Sequence, residues 1–288
     1  MRFLGTGSAE MYPNPYCDCD VCQRARENKE QPRLRSAFRI DDRNMIDFGP
    51  DILAASLLFD EPLSMLDTVF ITHTHDDHFC VPNICMMTLT NKRKGHMPIR
   101  FYLSKGGVQW VNDYNRAVRP LYSYQPGMEA LCESNAIELC PVTPYEWFEA
   151  GGMRVFAVES NHCISQRELA LNYLFCLPDR RKLLYVLDSG LYSEKNLVAL
   201  EGQKAEMLIM EGTFGSMPVE RDSSHLNAEH FIEQVHTFRE RGIIAQDAQV
   251  WVTHISQVNT FDHAAYQQYV HSMSDMNIAI AHDGLVVG

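Results

Sequence analysis

The sequence lacks long hydrophobic runs. It contains no stretch of the roughly 18 apolar residues that a membrane-spanning helix requires. The chain begins Met1-Arg2-Phe3-Leu4-Gly5, without the basic segment and apolar run of a secretory signal peptide. Both absences argue against membrane insertion and export, so we expect a cytoplasmic protein that has no membrane partner.

Positive charge is also scarce. The chain has 25 Lys and Arg residues against 37 Asp and Glu residues, and its formal net charge is -12. A negatively charged protein repels a long phosphate backbone unless a local basic stripe compensates. The best candidates for such a stripe, which Asp41 and Asp42 interrupt, are Arg33, Arg35, Arg39 and Arg43. We therefore do not expect nucleic acid as a partner, although a small anionic substrate is compatible with this charge.

Two common catalytic motifs are missing as well. The chain has no Gly-x-Ser-x-Gly element, which presents the nucleophile of α/β-hydrolases. The short Gly5-Thr6-Gly7 stretch does not make a dinucleotide-binding fingerprint. The sequence therefore favours neither a serine nucleophile nor nicotinamide chemistry.

The hydrophobic segments of residues 1–288 follow an alternating β and α pattern, and the length allows one large domain or two small ones. Strands are predicted at 2–4, 38–40, 44–47, 68–72, 99–103, 153–159, 171–177, 182–187, 207–210, 249–253 and 278–281. A helix is predicted after Asn227, because apolar residues there recur every three or four positions; Asn227 would cap it and Gly242 would end it. Residues 106–147 are rich in aromatic residues with weak periodicity, which is typical of a lid or insertion. Its aromatic residues, which either line a pocket or simply pack, include Trp110, Tyr114, Tyr122 and Tyr124.

An unusual group of polar residues follows the apolar stretch at 68–71. There His73, His75, Asp77 and His78 lie within six residues. Alternation in the strand tail places His73 and His75 on one side, and the turn that follows lets Asp77 and His78 face the same space. Imidazole and carboxylate groups are ligands for borderline divalent cations. If they were buried without a metal, each unpaired polar group would cost roughly 1 to 3 kcal/mol.

This group matches the H-x-H-x-D-H signature, and three later residues continue the pattern. His162, Asp188 and His254 each follow an apolar strand. In this order of motifs the chain resembles the metallo-β-lactamase superfamily over essentially its whole length. The resemblance implies a four-layer αββα sandwich with a dinuclear metal site at one edge of the β-sandwich.

The resemblance also implies how the site is divided. One metal ion would be bound by His73, His75 and His162, and the other by Asp77, His78 and His254, with Asp188 bridging both. His282 is an alternative to His254. The two ions, either Zn²⁺ or Mn²⁺, would hold a bridging hydroxide that attacks the substrate, with Asp77 and Asp188 as catalytic residues beside it.

A cysteine cluster resembles one found in two branches of the superfamily, so it does not fix the function by itself. Cys17, Cys19 and Cys22 resemble the structural zinc knot of the phosphodiesterase branch that serves the carbon–phosphorus lyase pathway, whose substrate is a cyclic ribose phosphate. A similar knot occurs in a protein of pyrroloquinoline quinone biosynthesis. Where that phosphodiesterase has its fourth ligand, a histidine, this chain has Gln257. His263 is the nearest replacement, and the alternatives are His271 or an incomplete knot.

His225 suggests the type of reaction. It lies just before the helix predicted after Asn227, and phosphodiesterases of the superfamily carry a histidine in this segment that contacts the phosphate or protonates the leaving alkoxide. The sequence thus favours a phosphodiesterase that acts on a small cyclic or ribosyl phosphate ester. The alternatives are an RNA 3′-end processing nuclease, a carrier or binding protein of cofactor biosynthesis, and a lactone or thioester hydrolase. By analogy with related enzymes, a homodimer is expected.

Overall fold

Two β-sheets face each other in a computed structural model that describes residues 1–27, 32–89, 98–118, 127–259 and 261–288. The first sheet has six strands in the order β1-β2-β3-β4-β5-β6. Their bounds are β1 Arg2–Gly5, β2 Ala37–Arg39, β3 Asn44–Ile46, β4 Thr68–Phe70, β5 Ile99–Ser104 and β6 Ile137–Val142. Strands β1 to β3 pair antiparallel, and β3 to β6 pair parallel.

The second sheet has seven strands in the order β13-β12-β11-β10-β9-β8-β7. Their bounds are β7 Trp147–Ala150, β8 Met153–Ser165, β9 Glu168–Cys176, β10 Lys182–Val186, β11 Ala205–Glu211, β12 Ile244–Thr253 and β13 Ile278–Ile280. Strands β10 to β13 pair parallel. Their carboxyl ends therefore meet at the same edge of the sheet.

Helices cover the outer face of each sheet. Their bounds are α1 Asp20–Glu27, α2 Ile52–Leu58, α3 Val81–Leu89, α4 Lys105–Val118, α5 Met128–Glu133, α6 Glu194–Leu200, α7 Ala228–Glu240 and α8 His263–Met273. Helices α2 to α5 pack on the first sheet, and α6 to α8 pack on the second. In the described part of the chain, no helix is long and apolar enough to cross a membrane.

Three hydrophobic cores hold these layers together. The middle core lies between the sheets, where Phe3, Phe38 and Phe70 of the first sheet meet Tyr173 and Phe175 of the second. The two outer cores lie between each sheet and its helices. The layers therefore follow the order helix, sheet, sheet, helix, which confirms the fold that the resemblance implies.

Helix α7 forms where the sequence predicts it. The side chain of Asn227 accepts a hydrogen bond from the backbone N–H of His230, which caps the first turn. Gly242 takes a φ of 62°, a left-handed conformation that ends the helix. Phe231 and Phe238 are fully buried against the second sheet, so the helix is fixed by packing as well as by its cap.

The aromatic-rich segment 106–147 is mostly regular structure. Residues 119–126, which include Tyr122 and Tyr124, lie outside the described residues. The remainder contains most of α4, all of α5 and strand β6, so its last part belongs to the sandwich and not to an insertion. Strand β6 is absent from the predicted strands because Pro141 interrupts its sequence pattern. Proline is tolerated at this position because β6 is an edge strand.

Replacing Phe231 by Ala should destabilise the protein by about 3 to 5 kcal/mol, because a fully buried aromatic side chain leaves a cavity. Urea unfolding followed by circular dichroism measures this loss. Glu240→Ala, an exposed change at the end of the same helix, should alter stability by less than about 0.5 kcal/mol. Equal effects of the two substitutions would contradict the packing described for α7.

Candidate metal centre and active site

The polar residues predicted from the sequence gather at one edge of the β-sandwich. His73, His75, Asp77 and His78 lie in the loop that follows β4. Asp188 follows β10 and His254 follows β12. These strands run parallel in the second sheet, so their carboxyl ends bring both residues to the same edge. The loop residues and the strand-end residues come together without any helix between them.

Three histidines form the first group. The Nδ1 atom of His75 lies 3.0 Å from Nε2 of His73 and 3.2 Å from Nε2 of His162. Burial lowers the pKa of His73 well below its ordinary value and lowers that of His162 to about 4. Neutral imidazoles present lone pairs, which is the form that binds a metal ion. The three nitrogens lie within 4.8 Å of one another, as donors to one cation would.

Asp77, His78 and His254 form the second group, and their donor atoms also lie within 4.8 Å of one another. The Nε2 atom of His78 is 3.1 Å from a carboxylate oxygen of Asp77. The Nε2 atom of His254 is 4.0 Å from the same oxygen. This group supplies one carboxylate and two imidazoles to a second position.

Asp188 lies between the two groups. Its Oδ2 atom is 3.1 Å from Nε2 of His78 and 3.5 Å from Nε2 of His254, and its carboxylate also groups with His73. Burial alone would raise the pKa of Asp188, but the neighbouring imidazoles hold it well below its usual range. Asp188 thus lies near donor atoms of both groups, as the bridging role implied by the resemblance requires.

Besides His162 Nδ1, three buried atoms of this cluster have no hydrogen-bond partner among the described residues: His78 Nε2, Asp188 Oδ2 and His254 Nε2. Burial would lower the pKa of His78, yet Asp77 and Asp188 raise it well above its ordinary value, so the pocket stabilises positive charge at this ring. A divalent cation bound between these atoms would satisfy them together. The residues present therefore fit a metal ion.

Asp47 holds His78 in place, a role that the sequence analysis missed. Its fully buried carboxylate accepts hydrogen bonds from the backbone N–H and the hydroxyl of Thr72, at 2.8 and 2.9 Å. It also lies 2.7 Å from Nδ1 of His78. This contact leaves Nε2 of His78 pointing into the cluster, as in many metal-bound histidines. The available signal was its position directly after β3, like the other polar residues that follow strands.

Glu211, at the end of β11, is a second residue that the sequence analysis missed. It is fully buried and accepts hydrogen bonds from the backbone N–H of Ser189 at 2.6 Å and of Leu226 at 3.2 Å. It also accepts the hydroxyl of Thr213, whose Oγ1 lies 2.9 Å from Nδ1 of His254. Glu211 thereby fixes the loop after Asp188 and, through Thr213, the ring of His254. The predicted strand, 207–210, ends one residue before Glu211.

His225 lies beside these candidate metal-binding residues. Its ring centroid is 4.8 Å from that of His162, and its ring is stacked on His254 at 5.9 Å. Its Nδ1 atom is 3.1 Å from a carboxylate oxygen of Glu211. Burial would lower the pKa of His225, but Glu211 outweighs burial and raises it to about 9. Glu211 therefore favours the protonated form of this ring.

The three cysteines of the predicted knot come together at the start of α1. The sulfur atoms of Cys17, Cys19 and Cys22 lie within 4.8 Å of one another. Cys22 is buried, and its Sγ lies 3.8 Å from Oε1 of Gln257. Three thiols at this spacing fit the soft donors of a zinc site. Gln257, the residue that departs from the family pattern, is thus a polar neighbour of Cys22.

The contacts of His263 point away from its predicted role as the fourth ligand. Its Nδ1 atom lies 3.1 Å from Nη2 of Arg33, and its ring is 6.3 Å from that of His282. Arg33 is in turn held by Thr6 and by the carbonyl of Ala281. His263 is the first residue of α8, and the group formed by the three thiols does not include it. His282, the alternative to His254, lies in the same neighbourhood.

Comparison with known proteins agrees with this geometry. The family model for the beta-lactamase superfamily domain matches residues 43–255. A sequence comparison with curated proteins found no match. Among solved structures, a new diphosphatase from the PhnP family is 20% identical with a TM-score of 0.70, and the alignment covers 99% of this chain and 95% of that one.

Two further structures share the fold. Zn²⁺-bound PqqB from Methylobacterium extorquens is 17% identical with a TM-score of 0.71, over 99% of this chain and 98% of that one. The short form of human tRNase Z is 18% identical with a TM-score of 0.60, over 100% and 98%. Structural similarity at this level of sequence identity establishes the fold of this chain, and the match to the family model establishes its family. The chain therefore belongs to the metallo-β-lactamase superfamily.

Proposed function

We propose that the protein is a dinuclear metal-dependent phosphodiesterase that hydrolyses a small cyclic or ribosyl phosphate ester. The observation that carries the proposal is the convergence of seven metal-binding side chains with the His225–Glu211 pair at their border. Membership of the superfamily supports hydrolysis in general. The choice of a phosphodiester depends on His225.

The metal-binding residues divide into two positions. His73, His75 and His162 would hold one divalent cation, while the carboxylate of Asp188 would serve both positions. Nitrogen and oxygen donors suit Zn²⁺ and Mn²⁺ alike. When bound, two such ions make a water molecule nucleophilic at neutral pH and stabilise negative charge on the reacting oxygens.

The second position would be held by Asp77, His78 and His254. Asp77 and Asp188 are the carboxylates of the centre, and their negative charge balances that of the cations. Because Asp47 and Thr213 fix the outer nitrogens of His78 and His254, both rings are preorganised before substrate arrives. Little free energy is therefore needed to reorient these two rings during the reaction.

His225 is the group that would serve the leaving alkoxide or contact the phosphate. Its Nδ1–H donates to Glu211, so the proton that can be transferred sits on Nε2. Expulsion of a ribose oxygen requires a proton, since an alkoxide is a poor leaving group. A carrier protein has no need of such an acid, so the oriented His225–Glu211 pair favours turnover over binding alone.

A nuclease and a carbonyl-ester hydrolase both have weaker support. An RNA 3′-end processing nuclease would need a basic surface for the phosphate backbone, and the net charge of -12 argues against one. A thioester hydrolase expels a thiolate, which leaves without a proton and gives His225 no clear task, whereas a lactone hydrolase would expel an alkoxide and stays an alternative that only substrate assays separate. We therefore propose a cytoplasmic enzyme with a small-molecule substrate, a structural zinc ion at Cys17, Cys19 and Cys22, and a homodimeric state by analogy.

Replacing Asp188 by Ala should lower kcat/KM for bis(p-nitrophenyl) phosphate by about 100-fold or more, because both metal positions lose a ligand. The assay compares metal-stripped protein after reconstitution with Zn²⁺ or Mn²⁺. Asp247→Ala, an exposed aspartate on β12, is the matched control and should keep full activity. Undiminished hydrolysis by the Asp188 variant would contradict the proposed centre.

Replacing His225 by Ala separates its two suggested roles. If His225 protonates the leaving group, hydrolysis of a nucleoside 2′,3′-cyclic phosphate, which expels an alkoxide, should fall by roughly 10² to 10⁴. Hydrolysis of bis(p-nitrophenyl) phosphate should fall much less, because nitrophenolate leaves without a proton. Steady-state kcat values for both substrates provide the comparison.

If His225 contacts the phosphate instead, both rates should fall together. His236→Ala, on the half-buried side of α7, controls for general effects on this region. Unchanged rates for both substrates in the His225 variant would remove His225 from the reaction and weaken the case for a phosphodiester.

A further inference from the structure

A cavity of about 480 Å³ opens beside the metal ligands. Asp77 lies on its wall, so one part of the cavity adjoins the position that Asp77, His78 and His254 would hold. Trp110 and Tyr114 of α4 form another part of the wall. Cavities of this volume accommodate small molecules. A phosphate ester at the metals could therefore extend its organic group into this space.

The far wall is an ordered aromatic surface. Trp110 and Tyr114 lie four residues apart on α4, and their rings stack with centroids 5.1 Å apart and planes at 20°. Phe79 supports Trp110 edge-on at 6.0 Å. The pair is half-buried, so it is anchored in the protein and still borders the cavity. A third planar ring could continue this stack at little conformational cost.

The charges around the cavity select among organic groups. Arg35 lines it, but its Nη1 atom lies 3.0 and 3.1 Å from the two carboxylate oxygens of Asp51, and its Nε donates to the carbonyl of Ala9. Its positive charge is thus balanced within the protein. Asp76 adds an exposed carboxylate to the wall. This environment disfavours a second phosphate in the cavity and favours an uncharged group with hydrogen-bond donors.

We infer that the ester group of the substrate carries an uncharged planar ring, of which a nucleobase is the common biological example, and that Trp110 and Tyr114 determine this specificity. The inference rests on the proposed phosphodiesterase function for the position of the phosphate. The ring stacks on the aromatic pair, and Asp76 accepts hydrogen bonds from hydroxyl groups between the ring and the phosphate. The substrate class is therefore a nucleoside phosphodiester in preference to a simple sugar phosphate.

Binding of product-like probes tests this specificity without any turnover. Isothermal titration calorimetry with Zn²⁺-loaded protein compares adenosine 5′-monophosphate, ribose 5-phosphate and inorganic phosphate. Stacking of one base on an aromatic side chain typically strengthens binding by roughly 5- to 150-fold. We expect the nucleotide to bind about tenfold more tightly than ribose 5-phosphate, and we expect Trp110→Ala to remove this difference.

Conservative variants keep the test valid if Trp110→Ala fails to fold. Trp110→Phe should retain the preference for the nucleotide, and Tyr114→Ala should weaken it. Nucleotide binding should also quench tryptophan fluorescence in the wild type but much less in Trp110→Phe. Trp147→Phe, which alters a tryptophan on β7 that packs against Phe156, should leave the quenching intact.

Two outcomes would overturn the inference. One is equal affinity of wild-type protein for the nucleotide and for ribose 5-phosphate. The other is a nucleotide preference that survives both Trp110→Ala and Tyr114→Ala, since the ring would then lie elsewhere. If hydrolysis of phosphodiesters persists in either case, only the ring specificity fails. If the nucleotide preference depends on Trp110 but no phosphodiester is hydrolysed, the cavity assignment stands and the proposed reaction fails.

Discussion

The structure depends on one constraint: donor atoms that need a positive charge are buried at one edge of the sandwich. Three of them, on His78, Asp188 and His254, have no hydrogen-bond partner among the described residues. Two of these residues, Asp188 and His254, also take left-handed backbone conformations, with φ of 47° and 57°. Such strain at a polar cluster is stable only when the surrounding fold fixes it. Divalent cations would compensate both the unpaired atoms and the buried carboxylate charge.

The surrounding residues hold this cluster from two sides. Asp47, from the first sheet, fixes His78, whereas Glu211, from the second sheet, fixes His225 and acts on His254 through Thr213. Each carboxylate lies at or directly after the end of a strand, so its position is determined by sheet register and not by a flexible loop. The centre therefore joins the two sheets, and its geometry depends on how they pack through the middle core.

The strands, the helix after Asn227 and the polar residues at strand ends are predicted from local signals, whereas the four-layer sandwich and the division of the site follow from the resemblance to the superfamily. The H-x-H-x-D-H motif follows directly on an apolar stretch that predicts a strand. The helix after Asn227 is predicted by its capping residue and by apolar residues spaced three or four positions apart. The roles of Asp47 and Glu211 were not predicted, because each depends on contacts with residues that are distant in the sequence and become neighbours only in the folded protein. His263, suggested as the fourth ligand of the cysteines, illustrates the same limit: the sequence does not reveal that Arg33 Nη2 lies 3.1 Å from its Nδ1 atom.

The most direct test of the centre is a titration of metal-stripped protein with Mn²⁺, followed by electron paramagnetic resonance. Two ions held by one bridging carboxylate lie about 3.5 to 4 Å apart and interact magnetically. We therefore expect the spectrum of a spin-coupled pair to grow to two Mn²⁺ ions per chain at this centre, and Asp188→Ala should abolish the coupling. Binding of a single uncoupled ion, or no tight binding at all, would contradict a dinuclear site built from these seven side chains.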